Sequence, residues 1–360
     1  MVSQQRQQGV ALILVLLVVA LMTIIATRLG FGLQLGIQRA ENRQQYQQAY
    51  WYALGGERLA RELIESALES EERIHPGQAW ASPLLRYPID GGQIHLVIED
   101  QRACFNINAL TTLNTPQSAD YRAAERGSVR QLSALLRLLA FEPGEAENMI
   151  EPLRDWLDSD TLPTGLNGVE DLYYSSRVPP YLPANGPLTS MSELYYIDGF
   201  VVGDNGSVRD ERRERLGRML CAVPNDRVIL NLNTLAPEHA PVLGALFEDK
   251  VPLDEIEEWL QSRPGDGIAS VDEFWEALTT GRNGHEDLDV AVKEQLSVSS
   301  EYFQVRVEVN YYDARLLMYA KVRVRDGKAY TYQRQYGELE QWPARAIGEQ
   351  REVESSSDHG

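Results

Sequence analysis

Asp155-Trp156-Leu157-Asp158-Ser159-Asp160 is followed, across a loop holding Pro163, Gly165 and Gly168, by Glu170-Asp171. Five carboxylates gathered by a glycine-bearing loop suit a hard cation with flexible oxygen coordination, and calcium is the natural candidate outside the cytoplasm. The expected ligand set is Asp158, Asp160, Glu170 and Asp171, completed by backbone carbonyls near Leu162. The spacing is not that of an EF-hand, which fixes a glycine in mid-loop and a bidentate glutamate at the loop's end. A solvated acidic loop without metal is the plain alternative. Asp204 and Asp266, each beside a glycine, read as turn residues.

Other chemistry is scarce. The histidines His75, His95, His239, His285 and His359 are scattered, and His285-Glu286 lacks the second histidine of a zinc-binding helix. No Gly-x-Ser-x-Gly nucleophile turn occurs. An enzyme is therefore not expected. Cys104 and Cys221 are the only cysteines. In a chain with an extracytoplasmic bulk they suggest one disulfide, worth about 4–5 kcal/mol in the chain-entropy model; two buried thiols that never meet are the alternative. The net charge of −19, with no basic stripe, excludes nucleic acid as a partner.

The elements that hold these residues begin with a membrane anchor. Val10 to Thr27 is a run of 18 uncharged residues, ended by Arg28 and preceded by the short polar leader Met1 to Gly9. As a helix it spans roughly 27 Å, close to the hydrocarbon thickness of a bilayer. A secretory signal would have a shorter apolar core and a small-x-small cleavage site. Here the run continues into helical sequence, Arg39 to Ser70, so anchor and stem form one helix of up to about 90 Å. Tyr46, Ala49, Ala53, Gly56, Ala60, Leu63 and Ala67 mark one stem face for packing.

Asp90-Gly91 signals a hairpin, and Ile94, Leu96 and Ile98 alternate with polar neighbours after it. The same alternation resumes only two hundred residues later, at Phe303, Val305, Val307 and Val309, then Tyr319 to Val324, with Asp326-Gly327 turning into Tyr330 to Tyr332. The interval reads as a helical insertion, and it contains a repeat. Phe105-Asn106-Ile107-Asn108-Ala109-Leu110 matches Leu230-Asn231-Leu232-Asn233-Thr234-Leu235. Each copy leads to helix, then Trp-Leu (156–157 and 259–260), then a capping box, Ser190 with Glu193 or Ser270 with Glu273. The asparagines are expected to cap or bridge backbone between modules. A DNA-binding helix-hairpin-helix would need a glycine-rich turn, and Pro237 to Phe247 supplies only Gly244.

Gly9 before Val10, behind Gln4, Gln5, Arg6, Gln7 and Gln8, resembles the leader of type IV prepilins and of type II secretion pseudopilins, whose peptidase cuts after the glycine and methylates the new N-terminus. Those families usually carry glutamate at mature position 5. Here that residue is Leu14, a departure for which the K-type minor pseudopilin (general secretion pathway protein K) is known. The stem sequence Gln47-Gln48-Ala49-Tyr50-Trp51-Tyr52-Ala53 and the paired asparagine modules are similar to the same family, so the resemblance covers Gly9 to about Tyr336.

The resemblance implies an α+β, type IV pilin-like fold: a long N-terminal transmembrane helix packed on an antiparallel sheet, with a large all-helical insertion of two SAM-like or helix-hairpin-helix-like modules. The divisions expected are a leader (1–9), transmembrane helix (10–29), stem and first strands (30–103), first helical module with the acidic loop (104–210), second module (211–298), closing strands (299–336) and a disordered tail (337–360). It also implies calcium in the helical domain, processing between Gly9 and Val10 by prepilin peptidase, and a single inner-membrane pass with the bulk in the periplasm. The expected partners are I- and J-type minor pseudopilins, with other pseudopilins and secreted substrates beside them. The implied role is to cap the pseudopilus tip, supporting its initiation and the export of folded proteins, because the inserted bulk would collide with a subunit stacked above. The rival readings are a minor pilin of a true type IV pilus, in adhesion or DNA uptake, and a membrane-anchored periplasmic enzyme.

Overall fold

The structure, a computed structural model, describes residues 4–83, 85–110, 119–200, 211–280, 284–285 and 287–338, with side chains for all of these but 4–10 and 119–126. Asp204, His359 and the expected tail from 339 onward lie outside the described residues. Helix α1 (Gln4–Ser70) runs unbroken for 67 residues, about 100 Å. Residues 11–44 are exposed throughout, including Leu12 to Ile37, so among the described residues this apolar half has nothing to pack on, and it is a candidate membrane anchor.

Burial on α1 begins at Ala49 and follows the helical period through Ala53, Gly56, Ala60, Ile64 and Ala67. Two members of the expected stripe fall off it: Tyr46 is 52% exposed, because it lies before the first helix turn that the sheet covers, and Ile64 takes the central place expected for Leu63. A Cβ on Gly56 would lie 2.8 Å from Val307 Cγ1 and 3.0 Å from Leu96 Cδ2, so the helix backbone rests directly on the strands.

The chain then forms β1 (Arg86–Ile89) and β2 (Gly92–Asp100) as a hairpin. The insertion follows: β3 (Phe105–Asn106), α2 (Ala119–Leu138), α3 (Pro143–Leu157), α4 (Asp171–Ser175), α5 (Glu211–Met219), β4 (Leu220–Cys221), β5 (Leu230–Asn231), α6 (Ala240–Leu246), α7 (Leu253–Ser262), α8 (Val271–Thr280) and β6 (Leu296–Ser297). Strands β7 (Tyr302–Tyr311), β8 (Ala314–Arg325) and β9 (Lys328–Tyr336) complete an antiparallel sheet of order β1-β2-β7-β8-β9. Leu96 pairs with Val307 and Val307 with Met318, and these inward residues meet the alanine stripe of α1 in one core. The β7–β8 turn passes through Tyr312 at φ 48° without the Asp-Gly signature of the other two hairpins, and β8 begins earlier than alternation alone predicts.

The insertion has its own core, including Phe105, Leu135, Leu153, Leu232, Leu243 and Phe247. Each asparagine segment adds one short parallel pairing, β3 with β4 and β5 with β6. Glu211 to Cys221, expected in the second module, sits with the first: β4 pairs β3, and Arg212 bridges Glu145 of α3 at 2.9 Å. The Ser190 box caps a short 3-10 turn (Met191–Tyr196), whereas the Ser270 box precedes helix α8. Tyr52 meets Tyr311 near the anchor side of the sheet, while Ile74 N–H donates to Val298 O at 2.9 Å beyond the end of α1. The insertion therefore leaves the sheet at the end of the stem farthest from the apolar segment.

Candidate metal centre

Helix α3 places Asp155 in its last turn and ends at Asp158, whose N–H donates to Arg154 O. The chain beyond folds back onto the helix. Thr164 N–H donates to Asp155 Oδ1 at 2.9 Å, Leu166 and Asn167 N–H to Glu151 Oε2 at 3.1 and 2.6 Å, and Gly168 N–H to Thr164 O at 3.0 Å. A Cβ on Gly168 would sit 2.4 Å from Asp155 Oδ2, so only glycine lets the loop close this tightly. Glu170 then takes the N-cap position of α4, its backbone carbonyl accepting Tyr173 and Tyr174 N–H, which leaves its carboxylate free to face those of α3.

One oxygen each of Asp158, Asp160 and Glu170 lies within 4.8 Å of the others. Glu170 is only 5% exposed and neither of its oxygens has a hydrogen-bond partner among the described residues. Asp158 Oδ1 and the buried Asp155 Oδ2 share that condition. Asp160 is exposed and accepts Leu162 N–H at 2.8 Å. Asp171, expected as a ligand, supplies no oxygen to this group. It begins α4 and acts on Glu170 as one more nearby negative charge. Asp155, left out of the expected set, lies against the group instead; its place in the last turn of α3 was the available signal.

The electrostatics follow from that crowding. Burial first, then Asp155, Asp158, Asp160 and Asp171, push Glu170 up to about 7. Burial and the charges of Asp160 and Asp155 push Asp158 up to about 6. Burial also raises Asp155, against the hydrogen bonds it accepts from Thr164 and Val169. Buried carboxylates with empty lone pairs and like-charged neighbours are unfavourable alone and become favourable around a divalent cation. Arg154 is a nearby positive charge for Asp158, but it leaves the net shift upward.

Cys104 and Cys221 are bonded, with Cα atoms 5.8 Å apart, and tie the start of β3 to β4. The four described histidines do not converge: His75 faces Glu71, His239 Nδ1 accepts Ala236 N–H, His285 faces Glu255, and His95 lies on β2. The four asparagines bridge backbone. Asn108 donates to Leu188 O at 3.0 Å and accepts Leu188 N–H at 2.8 Å; Asn233 does the same with Ile268 at 3.2 and 2.8 Å. Leu188 and Ile268 each stand two residues before a capping-box serine, so the repeat is one of structure as well as sequence. Gly9 and Val10 fall inside α1.

The description Type II secretion system (T2SS), protein K matches residues 103–225 and again 230–299. Type II secretion system protein K of Aeromonas hydrophila is 34% identical over 94% of this chain and all of that protein. The protein of the same name from Pectobacterium carotovorum is 33% identical over 93% of this chain and 98% of its own length. A solved structure, the GspK-GspI-GspJ complex from the enterotoxigenic Escherichia coli type 2 secretion system, contains a chain 31% identical to this one, superposing with a TM-score of 0.68 over 83% of this chain and 99% of that chain.

Proposed function

The chain belongs to the type II secretion system protein K family and is a minor pseudopilin, and on that premise we propose that it caps the tip of the pseudopilus with I- and J-type minor pseudopilins. One observation carries the reading: the insertion sits at the end of the stem farthest from the apolar segment. In a bundle of parallel stems, that is the end on which another subunit would have to stack. A chain obstructed there closes the bundle. Leu14 agrees with this place, since a terminal subunit has fewer neighbouring N-terminal amines to neutralise and a carboxylate in the bilayer would be costly.

In this reading the exposed half of α1 holds the subunit in the inner membrane with its bulk in the periplasm, after prepilin peptidase has cut behind Gly9 and methylated Val10. The complex initiates the pseudopilus and supports the export of folded proteins across the outer membrane. Asp158, Asp160 and Glu170 hold calcium, with Asp155 behind them, and the ion fixes the loop that closes on α3. The test is site-specific cross-linking in assembled pseudopili. Neighbours should be found on one axial side of this subunit only; neighbours on both sides would refute the cap.

A further inference from the structure

The two asparagine pairs make equivalent bonds inside their modules but differ in where the first asparagine points. Asn106 Nδ2 donates to Asn225 O and Arg227 O, at 2.7 and 3.3 Å, both within the insertion. Asn231 Nδ2 donates outward instead, to Ile74 O just beyond the stem at 3.1 Å and to Asp100 Oδ2 at 2.9 Å. Asp100 is the last residue of β2 and is buried. Its Oδ2 also accepts Thr234 Oγ1 at 2.6 Å; its Oδ1 accepts Arg102 N–H at 2.8 Å and the Ser300 hydroxyl.

A buried carboxylate is tolerated when its lone pairs are filled. The four donors on Asp100 come from both exits of the sheet into the insertion, Arg102 and Ser300, and from the second module, Asn231 and Thr234. Each is short and made by an uncharged group, so together they fix direction as well as distance. We propose that Asp100 is the positioning residue that locks the insertion onto the stem, with the second module as its mount. The first module touches the sheet differently, through Lys321, which donates to Thr189 O at 2.6 Å and Ala222 O at 3.4 Å. The benefit for capping rests on the tip reading above; the lock itself does not.

The test uses the full chain in detergent, spin-labelled at Glu62→Cys on the stem and Glu258→Cys on α7, both exposed positions. The unmodified junction should give one narrow distance distribution. Asp100→Asn keeps the shape but turns an amide toward two of the four donors, and the distribution should broaden while helical circular dichroism and the disulfide stay intact. Asn106→Ala removes bonds of the same kind inside the insertion and should leave it narrow. A narrow distribution in folded Asp100→Asn, or equal broadening in both variants, overturns the proposal. Should Asp100→Asn not fold, Thr234→Val and Ser300→Ala each remove one donor and keep the carboxylate: broadening in either supports the lock, and none in both overturns it. Failure of the tip reading would appear separately, as cross-linked neighbours on both axial sides around a junction that stays narrow.

Discussion

Replacing Glu170 with glutamine should reverse its effect on stability when calcium is added. The side chain is nearly isosteric, so packing is kept and only charge is lost. In the metal-free protein Glu170 is held up to about 7, by burial and then by Asp155, Asp158, Asp160 and Asp171, from an ordinary 4.5. At 1.36 kcal/mol per unit that gap corresponds to about 3 kcal/mol, which screening through the open side of the loop, where Asp160 is exposed, reduces to about 1–2 kcal/mol. The folded-state value lies above the unfolded one, so the folded chain binds the extra proton in the interval between them. The penalty is thus absent below about pH 4.5 and complete above about pH 7. Glu170→Gln should therefore stabilise metal-free protein by about 1–2 kcal/mol at pH 8 and by nothing at pH 4. If the proposed site binds calcium, the native chain at a hundredfold excess over the dissociation constant should gain about 2.7 kcal/mol, and the variant, short of a buried ligand, should gain little. Equilibrium denaturation of purified protein with chelator and with calcium, at both pH values, reads all four numbers. A variant less stable than the native chain by the same amount with and without calcium would refute the argument, since it would make Glu170 a structural hydrogen-bonding group.

Adjacent stem glycines should respond oppositely. Gly56→Val pushes a side chain into Val307 and Leu96 and should cost about 2–3 kcal/mol, whereas Gly55→Ala, with nothing within 4 Å of its Cβ, should gain up to about 1 kcal/mol of helix propensity; denaturant midpoints decide both. Asn108→Ala leaves Leu188 N–H, Leu188 O and Val223 O without their side-chain partner and should cost about 1–3 kcal/mol for each group orphaned, seen as early amide exchange in the first module while the sheet stays protected. Gly9→Val should block leader removal, so that intact-mass analysis of membrane protein finds Met1 to Gly9 retained and no added methyl group.

What could be read in advance was whatever is local in the chain. The anchor, the alternating strands and the Asp90-Gly91 and Asp326-Gly327 hairpins each declare themselves within one short continuous stretch, and the repeat announces two modules because its asparagines recur in one order. The partners of those asparagines were not legible: nothing near Asn231 in sequence points to Asp100, 131 residues away, and the pair differs from Asn106 only through what the fold brings to it. The acidic loop lies between these cases. Its carboxylates are visible as a string, but whether Asp171 or Asp155 adjoins the group depends on how Glu170 caps α4 and how Gly168 lets the loop close. Glu57 marks the far limit. It reads as one more charge on the stem, yet it is 1% exposed and bonded to Thr331 and Arg334 of β9, 274 and 277 residues away. Burial alone would push its carboxyl up, but the hydrogen bonds from Arg334 and Thr331 outweigh it and the net is a lowered value. Helical periodicity does place Glu57 beside the buried stripe. That a cation waits there depends on the height at which β9 crosses α1, which the irregularity in β8–β9 pairing at Lys321 and Val322 shifts by a residue, and no count along either segment contains that register.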